Sequence, residues 1–550
     1  MEDENYYCFA CFFISLPAFS QVNGNTAKLQ RPKLVVGIAV DQMRWDYLYR
    51  YYDRYGNDGF KRLLNDGYSC ENTMINYLPS LTAVGHTVVF TGSVPALSGI
   101  TGNDWMDQLT GKTVYCTSDS TVQGVGGSSP NEGKMSPRNL LVTTITDELR
   151  IATNFRSKVV GVSLKDRASI LPAGHSANAA FWFEDASGHF ITSTYYMNQL
   201  PDWATRFNNS NIIDSLIVKG WNTLYPINTY KQSDPDNVPY EGKFVGEQAP
   251  VFPHPIKEIY ASNKSSIRNT PFGNTLTLQF AKAALDGYNL GRGEATDFLT
   301  INFACTDGVG HMYGPNSIEI EDTYLRLDKD LANLFQTLDQ KVGKGQWLLF
   351  LTADHGAANT VGFMQEHKLP GELTSPSRLV DSLNRRLNEL FQVSGLVRSI
   401  SNNMVNFDVN RIYSSALDFD AIKKAAVDFL QRQPEIVIAV DISKVGESPV
   451  PEPLKTMIGN SYYFKRSGSV LIVAKSGQLE AFYKTGTSHS KWNPYDTHIP
   501  FILYGWNIKP GRLNRTVNMS DIAPTIAALL HIQMGSGSVG QVVTEVIPAK

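Results

Sequence analysis

The sequence of 550 residues is poor in cysteine, has almost no excess of charge and contains no long apolar segment after its N-terminus. Only Cys70, Cys116 and Cys305 follow residue 20, too few for a disulfide scaffold and without the C-x-x-C spacing of a thiolate zinc site. A net charge of -3 gives no sign of a polybasic surface. We therefore expect neither nucleic-acid binding nor a membrane span in the mature chain.

The N-terminus has the pattern of an export signal. Residues 6–19 (YYCFACFFISLPAF) are largely apolar, are too short to cross a bilayer and precede the small residue Ser20. The initial MEDEN is acidic, whereas signal peptides usually begin with basic residues. We predict a signal peptide over residues 1–20 and a periplasmic or secreted protein.

Several apolar, β-branched segments end abruptly in polar side chains. This pattern is typical of buried parallel strands with functional groups at their carboxyl ends. Residues 320–342 have apolar positions at helical spacing, which indicates that helices alternate with the strands. We predict an α/β fold with an open, mostly parallel sheet flanked by helices. The polar residues at the segment ends are Asp41, Lys165, Arg167, Asp307, Asp354 and His355.

Two regions interrupt this alternation. Residues from about 180 to 270 are rich in Asn, Tyr, Trp and Pro, which predicts a loop-rich insertion. Residues from about 371 to 482 combine amphipathic helical patterns with short strand-like segments, which predicts an α+β insertion. Either insertion could cover a site at the strand ends.

Aspartate and histidine recur after the strand-like segments. They occur as Asp307 with His311 in D-G-V-G-H, as Asp354 with His355, and as the late His489. Carboxylate oxygen and neutral imidazole nitrogen are ligands of zinc or another borderline divalent ion. Each pair alone is compatible with a cap or a turn, but together with Asp41 they predict a metal centre. The glycines of D-G-V-G-H should let its two ligands converge from the strand end, and we expect His86 and His498 outside the ligand set.

The segment NYLPSLTAVGHTVVFTG, residues 76–92, places Ser80 and Thr82 before an apolar, helix-like run. A hydroxyl at that position is usually an N-cap. It also faces the positive end of the helix dipole and free N–H donors, which suit an anion or a nucleophile. The spacing alone does not choose between Ser80 and Thr82.

Taken together, these residues resemble the alkaline phosphatase superfamily. More narrowly, the sequence is similar to the phosphate-insensitive, periplasmic bacterial alkaline phosphatases that use threonine as nucleophile. The resemblance covers residues 31–550 and implies one catalytic domain there, with the two insertions within it. The segments that carry it are RPKLVVGIAVDQMRWDYLYRYY, GNDW, VVGVSLKDRASILPAGH, NTLTLQ, GPNSIEIEDTYLRLD and SDIAPT.

The resemblance implies a site with two zinc ions and a phosphothreonine intermediate on Thr82. It assigns Ser80 to the helix cap and Asn103, Lys165 and Arg167 to the phosphoryl oxygens. One zinc ion would be held by Asp307, His311 and His489, and the other by Asp41, Asp354, His355 and the Thr82 oxygen.

Charge distinguishes among the reactions that such a site could support. The zinc ions, Lys165 and Arg167 would outweigh the carboxylates and a Thr82 alkoxide, and the remaining positive charge suits a phosphate monoester dianion. A diester carries less charge, and its second substituent would crowd Lys165 and Arg167. We expect a monomeric alkaline phosphatase that acts on small phosphate monoesters. The alternatives are a phosphodiesterase or nucleotide pyrophosphatase of the same superfamily and a catalytically inactive phosphate-binding protein.

Overall fold

A ten-stranded mixed sheet forms the centre of the fold. Its strands are β1 (Leu34–Val40), β2 (Tyr68–Cys70), β3 (Gly124–Val125), β4 (Val159–Val162), β5 (Ala179–Glu184), β6 (His189–Ser193), β7 (Asp297–Phe303), β8 (Trp347–Thr352), β9 (Phe501–Gly505) and β10 (Gly511–Leu513). They lie in the order β10-β2-β9-β8-β1-β7-β4-β5-β6-β3. The five neighbours from β8 to β5 are parallel, whereas β9 and β6 join them antiparallel. The predicted α/β sheet is confirmed, and its parallel part is the centre.

The computed structural model describes Met1, residues 29–480 and residues 482–547. The predicted signal peptide, apart from Met1, lies outside the described residues. Residues from Pro32 onward belong to one compact unit. Among the described residues, none of the helices is both long enough and apolar enough to cross a membrane. Cys70, Cys116 and Cys305 are buried and free.

The register of the central strands brings their carboxyl ends to one edge. In β1, Val40 lies opposite Phe303 of β7, and Ala39 lies opposite Thr352 of β8. All three strands are buried along their whole length because helices cover both faces of the sheet. The residues that directly follow these strands, including Asp41, therefore lie close to one another at this edge of the sheet.

Four helices place the residues of interest around this edge. They are α1 (Thr82–Thr91), α2 (Asp166–Ala173), α3 (Cys305–Tyr313) and α4 (Ile318–Leu338). Helix α1 is buried on every side, and its Phe90 packs against Phe298 and Phe350 of the sheet. Helix α4 confirms most of the helix predicted over residues 320–342.

The two regions that interrupt the alternation differ in structure. Residues 179–193 form β5 and β6 of the central sheet, and short helices follow at Asp202–Asn208, Ile212–Ile217 and Ile256–Ser262. Residues 372–480, here called the α+β module, contain helices Pro376–Phe391, Phe419–Leu430 and Leu454–Ser461. The module also has a four-stranded antiparallel sheet of Val397–Ser401, Met404–Phe407, Val470–Ala474 and Ile436–Asp441.

The contact between α1 and the end of β8 yields a first prediction. A Cβ atom at Gly85 would lie 2.4 Å from the carbonyl oxygen of Asp354, so Gly85→Ala must push the helix from the strand end. We expect the substitution to destabilise the protein by about 1–3 kcal/mol, as overpacking does. Thermal unfolding measures the effect.

Gly459→Ala is the matched control because Gly459 is also helical and nothing lies within 4 Å of its added Cβ. There, alanine should stabilise by up to about 1 kcal/mol through helix propensity. Equal behaviour of the two variants would contradict the close approach at Gly85.

Candidate metal centre

The six predicted metal ligands meet at the carboxyl edge of the sheet. Two groups have potential ligand atoms that all lie within 4.8 Å of one another, namely Asp41 with Asp354 and His355, and Asp307 with His355 and His489. His311 joins the second group because its Nε2 is 3.1 Å from Oδ1 of Asp307. Asp41, Asp354 and His355 are fully buried. The structure therefore places residues from distant parts of the chain around one enclosed point.

Unsatisfied polar atoms indicate that this point suits a cation. Oδ1 of Asp41, Oδ2 of Asp354 and Nε2 of His355 are buried and have no hydrogen-bond partner among the described residues. His355 Nε2 lies 3.6 Å from that Asp41 oxygen and 3.4 Å from that Asp354 oxygen. Burying such atoms without partners is costly, and a divalent ion between them would satisfy all three. The donor types also fit zinc or a similar ion.

The imidazoles are oriented as metal ligands are. Their Nδ1 atoms lie next to backbone carbonyl oxygens, at 2.8 Å for His311 and Thr487, 3.0 Å for His355 and Gly356, and 2.6 Å for His489 and Ser80. Because a carbonyl only accepts, each Nδ1 must donate, so in the neutral form of each ring it is Nε2 that carries the lone pair. Burial lowers the pKa of His355 to about 4 and that of His489 well below its usual value. Both rings are therefore neutral near pH 7, which is the form that binds a metal.

The carboxylates have contrasting electrostatic surroundings. Burial and repulsion from Asp41 raise the pKa of Asp354 well above its ordinary value. At Asp307 burial acts in the same direction, but His311 and Lys165 outweigh it and hold the pKa well below the usual range. Asp41 and Asp354 therefore need a positive charge beside them if both are to be ionised.

Lys165 and Arg167 lie at the start of α2 but have different partners. The Lys165 ammonium is 2.8 Å from Asp41 Oδ2 and 2.6 Å from Asp307 Oδ2, so it spans both groups. Arg167 donates to the hydroxyl of Tyr115 at 3.1 Å, and within the described ranges it has no hydrogen bond to a ligand carboxylate. Its buried Nε has no partner there either. The structure places Lys165 in the centre and Arg167 beside it.

The segment D-G-V-G-H is helical, which corrects the prediction that its ligands converge directly from a strand end. Asp307 is in the first turn of α3, and His311 shares its helix face four residues later. The glycines instead allow close packing with other elements. A Cβ at Gly308 would be 2.3 Å from the Arg268 carbonyl oxygen, and one at Gly310 would be 2.0 Å from Oε1 of Gln42.

Ser80 is not the cap of helix α1, so that prediction is wrong. The N-cap residue is Leu81, which has no side-chain capping bond. The Ser80 hydroxyl donates to the Lys491 carbonyl at 3.1 Å, while the Ser80 carbonyl accepts from His489. Its contact with the site is through the backbone.

Asn103 takes over the role of the cap. Its Oδ1 accepts a hydrogen bond from the N–H of Ala83 at 2.9 Å. Its amide NH₂ has no partner in the described part of the chain, so it is available to donate to an anion. Asn103 is thereby fixed next to Thr82 at the start of α1.

Thr82 is the first residue of helix α1, whose neighbouring residues contact the ligands, and its hydroxyl is unengaged. The side chain is buried, and its Oγ1 makes no hydrogen bond to any described residue. By contrast, Thr87 and Thr91 of the same helix bond to carbonyls one turn earlier. The carbonyl oxygen of Ser80, two residues before Thr82, accepts a hydrogen bond from His489. Nε2 of His86, four residues after Thr82, lies 3.6 Å from Oδ2 of Asp354.

Gln42 has contacts in the centre that sequence reasoning missed. Its backbone N–H donates to Asp354 Oδ1 at 3.1 Å, and its side-chain amide donates to Asp307 Oδ1 at 2.6 Å. The one sequence signal that could have indicated a role for Gln42 is its position directly after the strand-end residue Asp41. His498, as expected, lies outside the ligand groups, where it bonds to the Glu71 carbonyl at 2.9 Å.

A cavity of about 840 Å³ adjoins the second ligand group. Its lining includes Lys165, Asp307, His311, Tyr483 and Gln248. It has room for an organic group attached to an anion held at the centre.

A protein-family model matches most of this chain. The model of the type I phosphodiesterase / nucleotide pyrophosphatase family matches residues 35–496. The chain belongs to this family. Its predicted place in the alkaline phosphatase superfamily is thereby confirmed, and that superfamily implies metal ions at the site described above.

Individual relatives of this phosphodiesterase-family chain are alkaline phosphatases. It is 54% identical to alkaline phosphatase PafA of Elizabethkingia meningoseptica, over 95% of this chain and 96% of that protein. It is 52% identical to alkaline phosphatase PhoV of Synechococcus elongatus, over 94% of this chain and 93% of that protein. The crystal structure of wild-type PafA superposes with a TM-score of 0.93 and covers 94% of this chain and 100% of that one.

The buried carboxylates predict that removing divalent ions will destabilise this family member. Without a cation, Asp41 and Asp354 repel each other at buried positions that bulk solvent screens poorly. A tightly bound ion at a hundredfold excess over its Kd stabilises by about 2.7 kcal/mol. Dialysis against a chelator should therefore lower the Tm by several degrees, and added Zn²⁺ should restore it. An unchanged Tm after verified metal removal would contradict a structural cation at this centre.

Proposed function

We propose that this protein hydrolyses phosphate monoesters at a centre of two zinc ions, with Thr82 as the nucleophile. The observation that carries the proposal is the unengaged Thr82 hydroxyl at the start of helix α1, where Ser80 contacts His489 and Gly85 and His86 contact Asp354 of the two ligand groups. The similarity to PafA and PhoV over nearly the whole chain supports the same reaction class.

The ligands are divided between the ions as the family resemblance implies, because the geometric grouping alone places His355 in both groups. One zinc ion would be held by Asp41, Asp354 and His355, and the other by Asp307, His311 and His489. When bound, the ions supply Lewis acidity that activates the nucleophile and neutralises charge on the leaving oxygen.

The reaction proceeds in two displacements on phosphorus. The Thr82 oxygen forms a bond to phosphorus while the bond from phosphorus to the leaving alcohol breaks, which gives a phosphothreonine. Water then displaces the threonine oxygen and releases inorganic phosphate. Asn103, Lys165 and Arg167 donate to the non-bridging oxygens, so their contribution is orientation and charge stabilisation.

Charge favours a monoester over a diester as the substrate. Lys165 already lies within hydrogen-bond distance of Asp41 and Asp307, so its ammonium is where a dianion would be bound. A diester offers one negative charge fewer, and its second substituent would compete for space with Lys165 and Arg167. The family model includes phosphodiesterases, and that alternative is tested by the comparison below.

The same proposal covers the form and location of the protein. We propose a monomer that is exported to the periplasm or the medium after removal of residues 1–20. Its catalytic domain would comprise residues 31–550, with insertions at about 180–270 and 371–482.

The nucleophile is tested with Thr82→Ala. Loss of the hydroxyl should lower kcat/KM for an aryl phosphate monoester by about 10⁴ or more, while the zinc content stays at the wild-type value. Thr82→Ser is the matched control, because it keeps a hydroxyl and should retain measurable turnover. Wild-type rates in Thr82→Ala would remove Thr82 from the mechanism.

Substrate class is tested at Lys165 and Arg167. Each alanine variant should lose about 10–100-fold more kcat/KM with a phosphate monoester than with the matching diester, since a charge-assisted hydrogen bond is worth about 1.5–3 kcal/mol. Lys475→Ala, at an exposed lysine of the α+β module, should leave both rates unchanged. Equal losses with the two esters would contradict the charge argument for a monoester substrate.

A further inference from the structure

Gln42 connects the two ligand groups through separate parts of one residue. Its backbone N–H donates to Oδ1 of Asp354 at 3.1 Å, and its Nε2 donates to Oδ1 of Asp307 at 2.6 Å. Gln42 directly follows Asp41, so it adjoins all three ligand carboxylates. Its side chain is 3% exposed.

The backbone of Gln42 adopts a conformation that needs a reason. Its φ of +61° lies in the left-handed region, which residues other than glycine, asparagine and aspartate seldom enter. Such strain is retained where the surrounding structure requires it, and it is frequent at functional sites. Here this conformation coexists with the bond from the Gln42 N–H to Asp354.

Helix α3 makes room for the Gln42 side chain. A Cβ atom at Gly310 would lie only 2.0 Å from Oε1 of Gln42. Gly310 precedes the ligand His311 and follows the ligand Asp307 in the same helix. The glycine therefore lets the ligand-bearing helix approach the end of β1 closely enough for the amide to reach Asp307.

Lys165 also spans both groups, but it differs from Gln42 in two respects. Its side chain is 13% exposed at the cavity and charged, which suits a group that binds substrate. Gln42 is neutral and does not line the cavity. A neutral donor orients carboxylates without reducing the negative charge that a cation needs, and it stays in place when substrate binds or leaves.

We infer that Gln42 is a positioning residue that fixes Asp307 and Asp354 relative to each other, so that the two proposed zinc ions bind at a constant separation. The inference rests on the proposed zinc centre. Residues that orient metal ligands in this way typically change metal affinity or activity by about 10–100-fold when they are mutated.

The test variant is Gln42→Asn. Asparagine tolerates a positive φ and keeps the backbone N–H, but its amide is one methylene shorter and falls short of Asp307. We expect zinc affinity, measured by competition with a chromogenic chelator, to fall about 10–100-fold. We also expect a lower kcat with little change in KM, because the substrate contacts are intact.

Gln392→Asn is the matched control. Gln392 also has a left-handed backbone, with a φ of +55°, but it is exposed at the end of helix Pro376–Phe391. The same substitution there should change neither zinc affinity nor kcat. A similar loss in both variants would assign the effect to asparagine itself and overturn the inference.

Gly310→Ala disturbs the same contact without altering Gln42. Its zinc affinity should fall in the same direction, and if one of the two site variants does not fold, the zinc affinity of the other decides. Wild-type zinc affinity in a folded Gln42→Asn or Gly310→Ala variant overturns the inference. If the wild-type protein binds zinc but does not hydrolyse monoesters, the proposed function fails, while the affinity comparison still tests Gln42.

Discussion

Everything at the centre of this molecule follows from holding the carboxylates of Asp41, Asp307 and Asp354 together out of water. Burial raises the pKa of Asp354, and the neighbouring charge of Asp41 raises it further. Lys165 compensates Asp41 and Asp307 directly. The oxygens of Asp41 and Asp354 that have no partner in the described chain are the ones for which the proposed metal ions would compensate. In that proposal, the ions contribute to stability and to chemistry at the same sites.

The sheet register determines where this crowding occurs. Parallel strands β1, β7 and β8 end level with one another, so the chain after each strand starts at the same edge. Helix α1 then packs on the end of β8 at Gly85, where a larger residue would collide with the Asp354 backbone. That packing holds the first turn of α1, which begins at Thr82, against the end of β8.

The sequence allowed the strand ends and the six candidate ligands that converge there to be predicted, because apolar segments and ligand types are local signals. It did not indicate that D-G-V-G-H is helical, since glycine has a low helix propensity, whereas here both glycines let helix α3 pack closely against Arg268 and Gln42. The capping rule also failed at Ser80, because the acceptor for the Ala83 N–H is Asn103, twenty residues after Ala83. The bonds of Gln42 join positions 265 and 312 residues apart, and no local pattern reports such contacts.

Position within helix α1 explains why one threonine among several has a free hydroxyl. The hydroxyls of Thr87 and Thr91 donate hydrogen bonds to backbone carbonyls one turn earlier. Thr82 is the first residue of the helix, so the chain before it is extended and offers no helical carbonyl at that distance. The neighbouring N–H of Ala83 is already satisfied by Asn103. The hydroxyl of a threonine one turn further along would bond to a helix carbonyl. The position of Thr82 at the helix start therefore leaves its hydroxyl available, as the proposed nucleophile requires.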